Sequence, residues 1–263
     1  MNVCIAGATG WVGKPLSIEV QRASDLTLVG AVSRSHSGKL LSEVTGVPGM
    51  NLTVSGSVAE ALKSPTDVLV DYTSPVAVKS NVLTAIEHGV HVVIGTSGLT
   101  NEEYAEIDMA ARRRDVGIIA VGNFAITAAL LHRFALHAAR YLSHWEIIDY
   151  ASAMKVDAPS GTARELAFRL SQIKKPETPL SVHQTVGLKE SRGASLDGTQ
   201  VHSVRLPSFT VALEVVLGGH DERLTVRYDA GSSATPYLQG TLLAIRKVST
   251  VVGLVRGLGH LMV

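Results

Sequence analysis

The first 124 residues alternate short apolar segments with amphipathic ones, and this alternation limits the folds that the chain can adopt. The apolar segments are bounded by Gly, Ser, Asp or Asn and are predicted strands: Val3–Gly7, Leu26–Val32, Asp67–Asp71, His91–Gly95 and Gly117–Val121. Strands that are apolar on both faces are typical of a parallel sheet with helices on both sides. Right-handed crossovers then give a doubly wound, Rossmann-like α/β domain.

The segments between these strands have helical periodicity, and several begin with residues that cap helices. They are Trp11–Ala23, Ser57–Leu62, Pro75–His88 and Asn101–Arg114.

The pattern changes after about Phe124. A helix is predicted at 126–142, a strand at 144–150, a loop at 151–160, a helix at 161–173, strands at 200–206, 210–217 and 223–229, and a last helix at 236–248. Consecutive strands indicate an α+β domain with a mixed, largely antiparallel sheet. We therefore expect a dinucleotide-binding domain at 1–126, joined by a C-terminal segment 236–263, and a substrate-binding and oligomerisation domain at 127–235.

Composition excludes several classes of protein. The chain is 46% hydrophobic and 18% charged, which rules out wholesale disorder, and its net charge of +1 gives no field for holding nucleic acid or a membrane surface. The single cysteine, Cys4, excludes a disulfide framework and a cysteine-based zinc cage. No apolar run reaches the roughly 18–20 residues of a membrane span. We expect a cytoplasmic protein without a metal site.

A glycine-rich turn joins the first predicted strand to the first helix. The turn reads Gly7-Ala8-Thr9-Gly10-Trp11-Val12-Gly13. Small residues let a backbone turn sharply and approach a pyrophosphate, which the N-terminus of the following helix then attracts. The G-x-x-G-x-x-G spacing also occurs in purely structural turns, but its place at the first strand-to-helix turn favours a dinucleotide site formed by Gly7, Thr9, Gly10, Trp11, Val12 and Gly13.

The end of the second strand carries a basic residue where NAD-binding folds place an acid. Ser33, Arg34 and Ser35 stand there, and no acidic residue occurs between Leu26 and Leu41. A guanidinium and two hydroxyls suit a ribose 2′-phosphate, which an acid would repel. The sequence therefore predicts NADPH in preference to NADH, although Arg34 could instead be a solvated surface charge.

Three further strands end in small polar turns, and ligands of open α/β sheets bind beyond the carboxyl ends of the strands. We expect these turns to line the ribose and nicotinamide through Thr73, Gly95, Thr96, Gly122, Asn123 and Phe124. Each turn alone could be structural.

The stretch from Met154 to Ala163 combines a lysine with the start of a helix. Pro159 sets an extended turn, and Ser160, Gly161 and Thr162 then open the helix with free N–H groups that suit a carboxylate. Lys155 can supply a positive charge or a proton. In the alternative interpretation Ser160 is only a helix cap and Lys155 only a surface charge.

The motifs together resemble the dihydrodipicolinate reductase family of bacterial lysine biosynthesis. The resemblance rests on the turns described above, on the segment 155–163 (KVDAPSGTA) and on His202–Arg205 and Glu222–Leu224, and it covers nearly the whole chain. It implies a Rossmann-like domain, a mixed-sheet domain that builds a homotetramer, and a final helix packed on the first domain. It also implies that Gly7, Gly10, Gly13 and Arg34 bind the cofactor and that Lys155, Ser160, Gly161 and Thr162 meet the substrate.

The chain departs from the family where paired histidines usually precede the lysine. The matching positions are Ala151 and Ser152, and the turn after Arg205 is also altered, with Ser208-Phe209-Thr210 following Pro207. A less basic pocket would hold a dicarboxylate poorly. None of the ten histidines obviously replaces the missing pair.

We therefore expect an NAD(P)H-dependent oxidoreductase that transfers hydride to a small C=N, C=O or conjugated C=C acceptor of lower charge, as an imine reductase does. Lys155 is the favoured proton donor, ahead of Tyr150, Ser152, which would also contact the substrate, or a water molecule. One alternative is a genuine 4-hydroxy-tetrahydrodipicolinate reductase, and another is a non-catalytic NADPH-binding sensor.

Overall fold

The computed structural model describes residues 1–262, which form two compact units: residues 1–126 with 234–262, and residues 127–233. The strands are β1 (Asn2–Ala6), β2 (Thr27–Val32), β3 (Val68–Asp71), β4 (His91–Ile94), β5 (Gly117–Ala120), β6 (His144–Ala151), β7 (Ala194–Leu196), β8 (Thr199–Arg205), β9 (Val211–Gly219), β10 (Glu222–Ala230) and β11 (Gly253–Arg256). The α-helices are α1 (Gly13–Arg22), α2 (Leu41–Thr45), α3 (Val58–Ala61), α4 (Pro75–Glu87), α5 (Asn101–Arg113), α6 (Ile126–Ala138), α7 (Gly161–Ser171) and α8 (Thr235–Lys247).

The first unit is built on a parallel sheet. Its strand order is β11-β5-β4-β3-β1-β2, and all of its pairs are parallel. The chain leaves β1 for β2 on one side and later returns to β3 on the other, so the strand order reverses between β1 and β3. Ligands of doubly wound sheets bind at such a reversal, beyond the carboxyl ends of the strands. The predicted α/β fold is confirmed.

The core of the first unit explains why these segments are strands. Residues of β1, β3 and β4 are buried on both faces of the sheet, including Ile5, Leu69 and Ile94. Helices α4 and α5 contribute apolar residues to one of the two layers, such as Val82 and Ile107. Each Å² of apolar surface that is buried stabilises the fold by about 25 cal/mol, so this two-sided packing is the main stabilising contribution.

Helix α8 belongs to the first unit. It packs against α1, and the Thr241 hydroxyl lies 2.7 Å from the Tyr72 hydroxyl. At its other end Arg246 forms an exposed ion pair with Asp25, with a shortest distance of 2.7 Å. The sequence pattern predicts this helix but not β11, which follows it and extends the parallel sheet beside β5.

The second unit contains a mixed sheet of order β10-β9-β6-β8-β7. Three of its pairs are antiparallel, but β6 pairs with β8 in parallel. The expectation of a mixed, largely antiparallel sheet is confirmed. Helix α7 packs against β6, β7 and β8.

The two faces of β6 differ in burial. Trp145, Ile147, Asp149 and Ala151 are buried, whereas the alternate residues are half-buried. Because side chains alternate along a strand, the second face of this sheet is the more open one. Across the described residues, no helix has the length and hydropathy of a membrane span.

Candidate active site

The glycine turn after β1 is compact because two of its glycines have no room for a side chain. Gly7 has a φ of +81°, and a Cβ there would lie 2.2 Å from the carbonyl oxygen of Tyr72. A Cβ on Gly13 would lie 2.0 Å from the Gly7 oxygen. The Gly10 N–H donates to that same oxygen at 2.9 Å. Packing alone therefore requires Gly7 and Gly13.

The turn also presents backbone donors. Among the described residues no acceptor pairs with the N–H groups of Thr9, Trp11 and Val12, which precede α1. Unpaired N–H groups at a helix N-terminus, together with the positive end of the helix dipole, suit a pyrophosphate. Trp11 is 57% exposed and packs edge-on against Tyr237. The turn therefore fits the phosphates of a dinucleotide.

The residues predicted to bind the ribose form one polar cluster. The Ser33 hydroxyl lies 2.8 Å from the Thr9 hydroxyl and 3.3 Å from that of Ser35. His36 Nδ1 lies 3.0 Å from the Ser35 hydroxyl. The cluster joins the turn after β1 to the short 3₁₀ segment that follows β2, where a ribose and its phosphate would lie.

Arg34 extends into solvent beside this cluster. It is exposed and has no ion-pair partner among residues 1–262, so its charge is available to an anion. The sequence pattern does not indicate Glu60, whose carboxylate accepts from the Gly56 N–H at 2.8 Å. A Cβ on Gly56 would meet both Glu60 Oε2 at 3.7 Å and Ser37 Oγ at 3.1 Å. An acid therefore does approach this region, from α3 and not from the end of β2.

The turns after β3 and β4 are tied together by Asp71. The Thr96 hydroxyl donates to Asp71 Oδ1 at 2.6 Å, and the Thr73 hydroxyl donates to the same oxygen at 2.8 Å. The Thr73 N–H donates to the Thr96 hydroxyl at 2.8 Å, and Asn81 of α4 donates to Asp71 Oδ2 at 2.8 Å. Asp71 thus fixes Thr73 and Thr96, two of the residues predicted to bind the cofactor.

The remaining residues of this edge present mainly backbone. A Cβ on Gly95 would lie 2.1 Å from the Tyr72 ring, so only glycine fits there. Phe124 is 1% exposed and packs edge-on against Tyr72. Its side chain belongs to the core, which leaves only its backbone for a ligand. Gly122 is exposed, and the Asn123 side chain accepts from the Ala125 N–H at 2.9 Å.

In the second unit, Lys155 lies in the loop between β6 and α7. Its Nζ lies 2.6 Å from Asp157 Oδ1, and about a third of each side chain is exposed. Burial raises the pKa of Asp157, but the hydrogen bond and charge of Lys155 lower that pKa by more, so the pKa of Asp157 lies below its usual range. Asp157 therefore remains ionised and partly neutralises the lysine.

A buried ion pair holds this loop against the sheet. Asp149 is fully buried and accepts from Arg205 Nη2 at 2.8 Å and from the Ser160 hydroxyl and N–H at 2.6 and 2.8 Å. Arg205 also donates to the Asp157 carbonyl oxygen at 2.9 Å. The loop is therefore anchored at its middle and at its end.

The predicted substrate residues differ in what they can offer. Ser160 is 3% exposed; its hydroxyl donates to Asp149 and accepts from Ala163 N–H. That arrangement supports the helix-cap interpretation, and its contact with substrate stays a prediction. Gly161 and Thr162 follow at the start of α7, where N–H groups point away from the helix.

The positions of the missing histidines have structural roles. Ala151 is fully buried and pairs with Leu206 through the backbone. The Ser152 hydroxyl accepts from Met154 N–H at 3.3 Å, and the Ser152 carbonyl oxygen accepts from Lys155 N–H at 2.9 Å. Ser152 therefore shapes the turn that carries the lysine.

The structure also shows the surroundings of Tyr150, an alternative proton donor, and of His132, a histidine on α6. The Tyr150 hydroxyl donates to Glu214 at 3.0 Å, on the open face of the sheet, opposite to Asp149 and Ala151. Burial and Glu214 raise its pKa, which makes Tyr150 a poor donor. Burial, with a smaller contribution from the charge of Arg169, lowers the pKa of His132 to about 3. His132 is therefore neutral at physiological pH.

Asp71 and Asp149, which organise the two loops, are not among the predicted site residues, although the sequence carries a signal for each. Asp149 occupies the apolar phase of a strand whose residues alternate strictly, and Asp71 ends a strand of buried valines and leucine. A carboxylate in such a position needs buried partners.

A cavity of about 680 Å³ lies on the open face of the second sheet, and none of the predicted site residues lines it. Glu146 crosses part of that face, paired with Arg192 and with His202 Nε2. Within residues 1–262 no group of three or more His, Cys, Asp or Glu side chains could hold a metal ion.

Sequence models of one family match both parts of the chain. The model described as dihydrodipicolinate reductase, N-terminus, matches residues 1–124, and the C-terminal model matches residues 127–261. The 4-hydroxy-tetrahydrodipicolinate reductase of Bacillus cytotoxicus is 36% identical over 263 residues, covering 100% of this chain and 98% of that protein. The enzyme of Desulfitobacterium hafniense is 37% identical over 260 residues, covering 98% and 97%.

Comparison with solved structures gives the same family. A dipicolinate-bound dihydrodipicolinate reductase from Paenisporosarcina sp. TG-14 has a TM-score of 0.81 and 31% identity, covering 99% of this chain and 98% of that one. An amine dehydrogenase from Mycobacterium smegmatis, 16% identical with a TM-score of 0.67, shares the fold alone. The resemblance to the family is confirmed, and these relatives favour the reductase of lysine biosynthesis over the predicted acceptor of lower charge.

Proposed function

Because the chain belongs to the dihydrodipicolinate reductase family, whose members are NAD(P)H-dependent oxidoreductases, we propose that it reduces 4-hydroxy-tetrahydrodipicolinate with NADPH. The observation that carries the proposal is the loop from β6 to α7. A buried ion pair holds this loop, so that Lys155 and the start of α7 are fixed in place. A purely structural turn does not require a fixed lysine, whereas the binding of an anionic acceptor does, because the charged groups must be held in position.

The cofactor proposal rests on the first unit. The unpaired N–H groups of the glycine turn would hold the pyrophosphate, and Ser33, Arg34 and Ser35 would hold the 2′-phosphate of NADPH. Thr73, Thr96 and the backbone of Gly95, Gly122, Asn123 and Phe124 would lie at the nicotinamide end. When bound, the cofactor supplies a hydride.

The preference for NADPH can be measured with Arg34→Ala. Loss of a charge-assisted contact with phosphate should lower the preference for NADPH over NADH by about 10- to 100-fold, since such a bond contributes about 1.5–3 kcal/mol. Calorimetric dissociation constants of both reduced cofactors give this ratio. Lys39→Ala, which removes an exposed cation a few residues further on, is the control and should leave the ratio unchanged. An equal ratio in wild type and Arg34→Ala would contradict the assignment.

The acceptor would bind at the second unit. 4-Hydroxy-tetrahydrodipicolinate carries two carboxylates, and the N–H groups of Gly161 and Thr162 together with the Lys155 ammonium are donors of the kind that carboxylates need. Addition of a hydride to the C=N carbon of an acceptor would leave the acceptor nitrogen in need of a proton. Lys155 is the proposed donor of that proton, and Ser152 or a water molecule is the alternative.

One observation favours a second candidate function. Ala151 and Ser152 bring no imidazole to the loop, and Asp157 partly neutralises Lys155. A C=N acceptor with one carboxylate would need fewer cationic partners than a dicarboxylate. The second candidate is therefore an imine reductase for a smaller, less charged ring.

Steady-state assays of the wild-type protein with NADPH separate these candidates. We expect kcat/KM for 4-hydroxy-tetrahydrodipicolinate to exceed that for a cyclic imine with one carboxylate by about tenfold or more, because each unmade charged contact costs about 1.5–3 kcal/mol. A preference for the monocarboxylate would establish the second candidate. NADPH binding without turnover of either compound would indicate a sensor.

A homotetramer is also proposed. The open face of the second sheet exposes part of Ile148, Val204 and Val216, and it carries charges of both signs in Glu146, Arg192, Glu214 and Arg227. A face of this composition can pair with a copy of itself. Light scattering should give four times the monomer mass; a monomer would exclude this role.

A further inference from the structure

Asp71 is a fully buried carboxylate whose side-chain hydrogen-bond partners are all neutral groups. Its partners are the hydroxyls of Thr73 and Thr96, the Thr73 N–H and the Asn81 amide, at 2.6 to 3.1 Å. None of the ion pairs among the described residues includes Asp71. All four partners can donate, which suits an ionised carboxylate that only accepts. The negative charge is therefore stabilised by dipoles and is not cancelled by a cation.

The position of this charge matters because of the residues that surround it. Asp71 ends β3, next to the reversal of strand order between β3 and β1. Thr73 and Thr96, which hold the carboxylate, are the residues assigned above to the nicotinamide end of the cofactor. A ligand that contacts these threonines is therefore separated from the Asp71 carboxylate only by a threonine side chain.

Charge at this point acts differently on the two redox forms of the cofactor. The reduced nicotinamide ring is neutral; loss of a hydride, which is one proton with two electrons, leaves the ring with one positive charge. The hydride passes to the acceptor carbon, and a proton from the protein or from water neutralises the acceptor nitrogen. A nearby anion in a water-poor site therefore stabilises the oxidised ring more than the reduced one.

We propose that Asp71 tunes the bound cofactor toward hydride donation by holding an uncompensated negative charge against Thr73 and Thr96, the threonines assigned to the nicotinamide end. Asp71 does not touch the reacting atoms in this account and is a positioning and electrostatic residue. The inference rests on the proposed function in two respects: both redox forms of the cofactor must bind, and the nicotinamide must lie at Thr73 and Thr96. It does not depend on which acceptor is reduced.

A purely structural role for Asp71 makes a different prediction. If the carboxylate only held Thr73 and Thr96 in place, its loss would weaken the oxidised and reduced cofactors equally. Electrostatic tuning instead changes the ratio of their dissociation constants. That ratio also fixes the reduction potential of the bound couple relative to the free one.

The experiment compares NADP⁺ and NADPH binding to the wild-type protein and to Asp71→Asn by calorimetry. We expect the ratio of the NADP⁺ to the NADPH dissociation constant to rise by about fivefold or more in Asp71→Asn, because a unit charge acts strongly at short range in a partly buried site. Asn81→Ala is the matched control, since it removes a hydrogen bond from the same carboxylate but keeps its charge. That control should not raise the ratio.

A second variant keeps the test valid if Asp71→Asn does not fold. Asn81→Lys would place an ammonium group against Asp71 Oδ2 and cancel the charge with the carboxylate still present, so it should raise the same ratio. An unchanged ratio, or an equal loss of affinity for both forms, in the folded variants would overturn the inference. Failure of the wild-type protein to bind either form would instead overturn the proposed function.

Discussion

Two buried aspartates illustrate how the same residue type serves different purposes in the two units. Asp149 lies against the guanidinium of Arg205 at 2.8 Å, so its charge is compensated and its role is to hold the loop. Asp71 has only neutral donors, so its negative charge is not compensated and would act on a ligand bound next to Thr73 and Thr96. Burial of a charge is costly in either case, and several hydrogen bonds to each carboxylate offset part of that cost.

At the residue scale, the sequence shows which residues can serve a site more readily than it shows their contacts in the folded protein. The glycine spacing indicates Gly7 and Gly13 because only a residue without a side chain fits. The sequence gives no sign that Ser160 is held by Asp149, since the two are eleven positions apart and meet only through folding. Nor does it show that Phe124 is buried, because a single aromatic residue after a strand has no periodicity to orient it.

At the element scale, the loop between β6 and α7 owes its shape to contacts with β8. Leu206 N–H donates to the Ala151 oxygen at 3.1 Å, and Ala153 N–H donates to the Leu206 oxygen at 3.2 Å. Arg205 then holds the Asp157 carbonyl. The parallel pairing of β6 with β8 brings these residues together. Residues 152–198 separate the two strands in the sequence, so local sequence patterns cannot predict that these strands pair.

Arg205→Met should therefore destabilise the second unit. The substitution leaves Asp149 buried without a cation, and breaking one partner of a buried pair costs about 3–5 kcal/mol. The 4%-exposed Trp145 lies in this unit, so its fluorescence in a Trp11→Phe background reports urea unfolding there. In the folded fraction, KM for the acceptor should rise while the dissociation constant of NADPH stays constant.

Arg227→Met is the control for this prediction. Arg227 pairs with Asp229 at 2.8 Å and with Glu214 at 3.2 Å in the same sheet, and its own side chain is 39% exposed. Solvent screens exposed pairs, so the loss should be about 1 kcal/mol or less. Equal destabilisation by the two substitutions would show that the Asp149–Arg205 pair does not anchor the loop.

The secondary structure was predictable where one period dominates. Strands β1, β3, β4 and β5 are short and mostly apolar, with polar residues only at their ends. Helix α4 follows β3 with an initial proline, and α5 follows β4 with a capping box. The four-residue strand β11 was missed because its burial depends on joining the edge of a distant sheet. The helix predicted at 126–142 ends at Ala138, since the residues after it form turns.

At the scale of the whole molecule, the chemistry is divided between two units of different design. The first offers a parallel sheet with backbone donors and an Arg34 that no acid neutralises within the described chain, which suits a dinucleotide. The second offers a mixed sheet and an anchored loop with a lysine, which suits an anionic acceptor. Fold class and family were accessible from the sequence because the motifs lie in order along nearly all of it.

The most direct test of this account is the rate of NADPH oxidation with 4-hydroxy-tetrahydrodipicolinate, measured for the wild-type protein and for Lys155→Ala. We expect turnover by the wild type and a fall in kcat/KM of about 100-fold or more in the variant, because loss of a proton donor costs that much. The dissociation constant of NADPH should be the same for both proteins. Equal turnover by the two proteins, or a wild type that binds NADPH and leaves it unoxidised, would contradict the account.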